Sequence, residues 1–203
     1  MTDSPLLLLG LFLGGLYFAK LWFDDFRATR AGKPPPHPLP GATPCGRQPV
    51  IIAIVGAIII VAAETAGEIG LGISDEQSEM TVLFGCYTLV AALIEEVIFR
   101  GYIIIEKRGA ALQWTGVVAA SLLFAGLHDF LWQWDNGRLQ LTLDLKGAFS
   151  TAAVFVSSLW FYTVRLMSSN PTRSLLPCFA AHLTKNLGVF GIKGAQGFIV
   201  GWW

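Results

Sequence analysis

The stretch MTVLFGCYTLVAALIEEVIFRGYIII, residues 80–105, decides the fold class of this protein. It is apolar over more than the roughly 20 residues that a helix needs to cross a bilayer core about 30 Å thick. Other runs of similar character precede and follow it. The six runs cover residues 5–23, 50–73, 80–105, 111–132, 148–167 and 174–190, and a shorter apolar tail covers residues 197–203. The sequence therefore predicts an all-α, polytopic transmembrane helical bundle of about six spans.

The composition agrees with a protein whose main partner is the lipid bilayer. Hydrophobic residues make up 54% of the 203 residues and charged residues only 14%, and the mean hydropathy is +0.58. A soluble protein of this size needs more polar surface than these charges supply. A formal net charge of zero leaves no basic face for phosphates, so we expect no nucleic-acid partner. Three cysteines are too few to hold a fold of this length together by disulfides.

A proline-rich segment separates the first two runs. Residues 24–49 hold seven of the ten prolines, which predicts an extended, semi-rigid linker. We therefore expect residues 1–49 to form an N-terminal membrane anchor with a proline-rich cytoplasmic loop. Residues 50–203 are then the transmembrane core, with its motifs within residues 80–190.

Basic residues near the ends of the runs predict the orientation. They collect on alternate connections, eight on one side of the membrane and three on the other. By the positive-inside rule, the side with eight, which includes the proline-rich loop, is cytoplasmic, and both termini lie outside. The eight are Arg27, Arg30, Lys33, Arg47, Lys107, Arg108, Arg165 and Arg173, and the three are Arg138, Lys146 and Lys193.

Several ionisable and polar side chains fall inside the apolar runs. Placing a charge at the centre of a bilayer costs about 2.5 to 3.5 kcal/mol on insertion scales, so such residues are candidates for function. They are Glu64 and Glu68 in the second run, Glu95, Glu96 and Arg100 in the third, His128 in the fourth, and His182, Lys185 and Asn186 in the sixth.

Helical spacing sorts these groups into faces with different chemistry. Glu96 and Arg100 are one turn apart on one face, so Arg100 can hold Glu96 as a charged pair. Glu95 lies about 100° around the helix, turned away from that cation, and it is the better candidate for a general base. Phe124 and His128 share a face in the fourth run.

His182 and Asn186 are also one helical turn apart. Their imidazole and carboxamide groups would lie side by side as hydrogen-bond donors. Two neutral donors directed at one point are what a developing oxyanion requires. The pattern therefore makes His182 and Asn186 a candidate oxyanion site.

At these positions the chain resembles the membrane-embedded CPBP proteases, which include type II CAAX prenyl endopeptidases and bacteriocin-processing or immunity proteins. Three motifs of that family occur in order: EExxxR at residues 95–100, FxxxH at residues 124–128 and HxxxN at residues 182–186. Each alone is a weak signal, but three in order, each in an apolar run, are specific. The resemblance covers roughly residues 80–190.

The resemblance implies a membrane-embedded glutamic-type peptidase with a polar catalytic cavity inside the bilayer of a bacterial or archaeal cell membrane. At the matching positions, Glu95 is the base that activates water, and His128 assists in positioning and proton transfer. His182 with Asn186 forms the oxyanion site. The supporting residues are Glu96, Arg100 and Phe124. Such a site needs no metal or cofactor, and it acts on a membrane-associated peptide or protein, such as a CAAX-like, leader or C-terminal sorting peptide.

Alternatives stay open at this stage. Glu95, Glu96, His128 and His182 could bind zinc, although an HExxH motif is absent. A non-catalytic transporter or immunity protein could use the buried charges as a proton relay or peptide site, although a relay gains little from the carboxamide of Asn186. Glu64 and Glu68 match no motif. They could line the same cavity, pair with Lys185, or be ordinary helix-surface charges.

Overall fold

The computed structural model describes residues 4–135 and 137–203. Within them the chain is mostly helical, so the predicted all-α fold class is confirmed. The helices are α1 (Pro5–Arg30), α2 (Arg47–Leu71), α3 (Val82–Glu96), α4 (Ala110–Gly126), α5 (Leu145–Leu166) and α6 (Leu176–Gln196). A π-helical segment, Val97–Tyr102, continues α3, and a single 3₁₀ turn, Ser74–Glu76, follows α2.

The number of spans is smaller than predicted. Among the described residues, four helices are long and apolar enough to cross a membrane: α1, α2, α3 with its π-helical segment, and α5. The helix α4 has 17 residues and is too short by this measure. The helix α6 has 21 residues but carries polar side chains along its length. By this measure the predicted six spans are corrected to four, and these four apolar helices indicate an integral membrane protein. The helices α4 and α6 do not meet the measure, but they run between the same two ends of the bundle.

The fourth apolar run also ends earlier than predicted. The helix α4 stops at Gly126, and the chain then forms an antiparallel hairpin of β1 (Trp132–Asp135) and β2 (Arg138–Leu141). Trp132 is paired with Leu141 in the register. The indole Nε1 of Trp132 donates to the Gly126 carbonyl at 2.9 Å, which ties the hairpin to the helix end that it leaves.

Local sequence explains where the helices that carry the site begin and end. Thr81 caps α3 by accepting from the Phe84 N–H at 3.2 Å, and Asp144 caps α5 by accepting from the Gly147 N–H. Gly197 ends α6 with a φ of 87°, a left-handed conformation that glycine adopts without a steric penalty.

The helices pack into one bundle around two buried apolar clusters. The helix α2 packs against α6, α1 against α3, and α4 against α5. Trp22 and Leu175 belong to a cluster that joins α1, α2, α5 and α6. Phe99 and Tyr162 belong to a second cluster, between the π-helical segment, α4 and α5. The proposed site lies beside this second cluster.

The bundle has two distinct ends. The basic end consists of residues 31–46, 103–109 and 167–175. The hairpin end consists of residues 72–81, 127–135, 137–144 and 197–203. Hydrogen bonds join the segments within each end: Thr172 Oγ1 donates to the Pro44 carbonyl at 2.8 Å, and the Met80 N–H donates to the Phe198 carbonyl at 2.9 Å.

Candidate active site

A cavity of about 1010 Å³ opens among α2, α3, α4, α5 and α6. The residues that line it include Glu95, His128, His182 and Asn186, together with Phe124. Of the three supporting residues, Glu96 and Arg100 lie behind its wall, where both are fully buried. Folding therefore brings residues from three distant motifs to one water-accessible space.

The two adjacent carboxylates have different surroundings. The side chain of Glu95 is 35% exposed and faces the cavity, with Oε2 3.8 Å from Nε2 of His182. The side chain of Glu96 is 0% exposed. The roughly 100° that separates neighbouring residues on a helix accounts for this difference. Only Glu95 of the two can reach a water molecule in the cavity.

Glu96 is held by two partners at once. Its Oε1 accepts from Nη1 of Arg100 at 3.1 Å and lies 2.8 Å from Nδ1 of His182. Arg100 in turn donates from Nη2 to Oγ of Ser158 at 2.5 Å. Its guanidinium lies 4.5 Å from the ring centroid of Phe124, a cation–π distance. The charge of Arg100 thus compensates the buried carboxylate, which in turn fixes His182.

The ring of His182 is fixed on two sides. It stacks on Phe161 with the ring centroids 4.6 Å apart. Oε1 of Glu96 accepts a hydrogen bond from Arg100, and a carboxylate oxygen of this kind is also an acceptor toward Nδ1 of His182. Nδ1 therefore carries a proton. The other ring nitrogen, Nε2, then faces Glu95. This arrangement aims one nitrogen of His182 at the candidate base.

His128 lies just beyond the end of α4 and is fixed differently. Its Nδ1 is 2.8 Å from the Phe124 carbonyl, which can only accept, so Nδ1 is the donor. Nε2 then carries the lone pair and can accept a proton. The ring packs between Phe124, at a centroid distance of 4.9 Å, and Phe130, at 5.8 Å.

Asn186 lines the cavity one turn after His182. Its Nδ2 donates to the Thr88 carbonyl of α3 at 3.1 Å. An amide nitrogen carries two hydrogens, so one N–H is used to orient the side chain and the second can serve a substrate oxygen. Thr88 was not identified from the sequence, because a backbone carbonyl leaves no mark in the residue pattern.

Glu64 and Glu68 are ion-paired residues of the cavity wall. Glu64 lies 2.8 Å from Nζ of Lys185, and both side chains line the cavity. Glu68 is paired with Lys146 and accepts from Gln77 at 2.6 Å. Of the three interpretations left open, cavity lining holds for both residues and pairing with Lys185 holds for Glu64. The interpretation as ordinary surface charges is wrong, since Glu68 is only 5% exposed.

The helix α5 carries a polar layer that was not predicted from the sequence. Ser158 accepts from Arg100 and donates to Ser121 of α4 at 3.0 Å. One turn later, the Tyr162 hydroxyl contacts the Phe99 carbonyl at 2.7 Å, in the π-helical segment. The spacing of Ser158 and Tyr162 on one face of an apolar helix is the signal that could have found them.

Among residues 4–135 and 137–203, no three histidine, cysteine, aspartate or glutamate side chains lie close enough together to hold a metal ion. The possible zinc ligands named from the sequence, Glu95, Glu96, His128 and His182, include no such group of three among these residues, although His182 lies near both carboxylates.

Sequence comparison adds an independent finding. A family model described as type II CAAX prenyl endopeptidase Rce1-like matches residues 77–188, which is more than half of the chain. The matched segment contains all three motifs, from Glu95 to Asn186. No curated protein and no solved structure matches the chain.

Proposed function

Because this chain belongs to the Rce1-like family of type II CAAX prenyl endopeptidases, we propose that it hydrolyses a peptide bond of a membrane-associated substrate with a water molecule activated by Glu95. The observation that carries the proposal is the contrast between two adjacent carboxylates. Glu96 is buried and engaged by Arg100 and His182, whereas Glu95 faces the cavity and is free to act on water. The protein is then a glutamic-type intramembrane endopeptidase of a bacterial or archaeal cell membrane.

The proposed reaction begins at Glu95. Its carboxylate takes a proton from water, and the hydroxide oxygen forms a bond to the carbonyl carbon of the scissile peptide. The C–N bond then breaks as the leaving nitrogen receives the proton from Glu95. The products are a carboxylic acid and an amine, and because water itself attacks the carbonyl carbon, no covalent enzyme intermediate is formed.

The oxyanion is stabilised from α6. Negative charge develops on the peptide oxygen when hydroxide adds, and Asn186 offers the N–H that is not used by the Thr88 carbonyl. Nε2 of His182 is the second candidate donor when the ring is protonated. Removing one such donor typically costs about 10² to 10³ in turnover.

His128 has a separate role in the proposal. Its Nδ1 proton is held by the Phe124 carbonyl, so Nε2 can accept a hydrogen bond from the attacking water or relay its proton. Phe124 supports the site by fixing His128 through this carbonyl and by packing on Arg100.

The function is tested by offering the purified protein a panel of membrane-associated peptides. The panel contains a prenylated CAAX peptide, a leader peptide and a C-terminal sorting peptide, and the products are located by mass. We expect one class to be cut at a single bond with incorporation of one water oxygen from ¹⁸O-labelled water. If every peptide is left intact by protein that is folded and monodisperse, the endopeptidase proposal fails for these classes.

The proposed reaction is expected to be independent of metal ions. A glutamate-activated water needs no Lewis acid, so treatment with a chelator is expected to leave the cleavage rate unchanged. The measurement compares initial rates before and after chelation, with metal content determined on the same sample. Stoichiometric zinc, together with activity that is lost on chelation and restored by zinc, would replace the proposal by a metallopeptidase mechanism.

A further inference from the structure

The mouth of the cavity lies at the hairpin end of the bundle. Exposed residues of two separate segments border it there: Glu76 and Ser78 before α3, and Gln133 of the hairpin. Lys146 at the start of α5 and Lys193 near the end of α6 line the same part of the cavity. None of the described residues that line the cavity belongs to the basic end.

The basic end is closed by the proline-rich segment. Nε1 of Trp22 donates to the Pro40 carbonyl at 3.0 Å, and the Leu175 N–H donates to the Gly41 carbonyl at 3.0 Å. Gly101 of the π-helical segment lies directly against Pro40, so close that a Cβ there would be 2.8 Å from the proline ring. These contacts place packed chain between the basic end and the buried Arg100 layer.

The wall of the cavity between its mouth and Glu95 is polar. The pairs Glu64–Lys185 and Glu68–Lys146 both line it on the hairpin side of His182. Charged groups of this kind keep water in contact with them, because an ion removed from water loses several kcal/mol of hydration. The hydrated route to Glu95 therefore runs from the hairpin end.

The distribution of basic residues assigns the two ends of the bundle to opposite sides of the membrane. Eight lysine and arginine residues lie at or beside the basic end and three at the hairpin end. The positive-inside rule assigns the basic end to the cytoplasm. The cavity mouth, at the opposite end, then faces away from the cytoplasm.

We infer that the site takes its substrate from the non-cytoplasmic face of the membrane. The substrate is a membrane-anchored segment of an exported or surface protein whose scissile bond lies near the outer boundary of the bilayer. A prenylated peptide presented from the cytoplasm would meet the closed basic end instead. This inference rests on the proposed function for the chemistry, and on the cavity and the charge distribution for the side.

Cysteine labelling tests the side without any need for activity. Gln133→Cys marks the mouth, Ser150→Cys marks the cavity wall on α5, and Lys33→Cys marks the basic end. Each is made in a chain with Cys45→Ala and Cys86→Ala, since Cys178 is buried. In spheroplasts, a small membrane-impermeant thiol reagent is expected to label the first two variants. It should label Lys33→Cys only after permeabilisation.

The opposite pattern, with Lys33→Cys labelled in intact spheroplasts, would overturn the inference. Labelling of Gln133→Cys without Ser150→Cys would also overturn it, because the cavity would then not be reached from that face. Ser150→Cys changes one oxygen to sulfur, so the fold should tolerate it, and Gln133 lies in the exposed hairpin.

A reporter substrate tests the same inference through activity. The segment that the purified protein cuts is fused to the cytoplasmic flank or to the outer flank of one membrane anchor. We expect cleavage only on the outer flank, and cleavage only on the cytoplasmic flank would overturn the inference. If the purified protein cuts no segment, the proposed function fails while the labelling still decides the side.

Discussion

Replacing Glu95 by glutamine is expected to lower peptide hydrolysis by a factor of about 10² to 10⁴ while the folded protein still accumulates. Glutamine keeps the volume of the side chain and most of its hydrogen bonding, but it cannot take a proton from water. Glu95 is partly exposed in the cavity, with Nε2 of His182 3.8 Å away, so the substitution should disturb little packing. The measurement is the single-turnover rate on the cleaved peptide, with thermal stability recorded on the same sample.

The matched control is Glu79→Gln. Glu79 is an exposed glutamate that does not line the cavity, so the same chemical change there should leave the rate within about twofold. A fully active Glu95→Gln protein would end the hypothesis of a glutamate-activated water, and with it the proposed mechanism.

Helix formation could be predicted from the sequence because apolar length is a local property. Each of the six apolar runs overlaps one α-helix, and Pro5 lies at the start of α1 as predicted. The number of spans was harder to predict, since the run that became α4 included Trp132, which belongs to a strand. Trp132 alternates with polar residues ahead of an Asn-Gly dipeptide, which is a hairpin signal that apolar length alone conceals.

The geometry within one motif was also predictable, because a helix fixes it. Glu96 and Arg100 are paired in the structure as the one-turn spacing predicted. Contacts between motifs could not be predicted in this way. The bond between Glu96 and His182 joins residues 86 positions apart, and it depends on how α3 packs against α6. No periodicity in either helix specifies that packing.

The π-helical segment after Glu96 is the feature least accessible from the sequence. Residues 97–102, VIFRGY, contain no proline, and their one arginine and one glycine do not by themselves predict a π-helical turn. In the structure, the Ile103 N–H donates to the Ile98 carbonyl at 2.9 Å, five residues back. Tyr162 accounts for part of the change, because its hydroxyl lies between the carbonyls of Phe99 and Ile103 and shares its one hydrogen with them. This tertiary contact, rather than local preference, holds the wider helical turn that carries Arg100.

The charge of Glu96, unlike that of Glu95, compensates a buried cation. Its Oε1 accepts from both Arg100 and His182, while Oε2 is buried without a hydrogen-bond partner among the described residues. Glutamine at this position could keep both bonds through its one oxygen. It would remove the charge that compensates Arg100 and would put an N–H group where the structure offers no acceptor.

Glu96→Gln is therefore expected to destabilise the protein by about 3 to 5 kcal/mol, the usual effect of breaking a buried ion pair. The loss should appear as a lower yield and a thermal midpoint lower by roughly 10 °C, at least as strongly as in turnover. Turnover should fall as well, because a neutral amide oxygen is a weaker acceptor for Nδ1 of His182 than the carboxylate that fixes its ring. Thermal unfolding in detergent and single-turnover rates on the surviving folded fraction separate the two effects.

The double variant Glu96→Gln/Arg100→Met shows whether the stranded cation is the cause. Arg100→Met alone should destabilise the protein for two reasons. It removes the hydrogen bond from Arg100 to Ser158, and it leaves the buried carboxylate of Glu96 without its cation. The double variant leaves no uncompensated charge at positions 96 and 100. Its loss in free energy of unfolding should therefore be smaller than the sum of the two single losses, by at least about 2 kcal/mol. Strict additivity would show that the pair does not stabilise the bundle. Equal and purely catalytic losses in Glu95→Gln and Glu96→Gln would show that the two carboxylates share one role, against the division that their burial indicates.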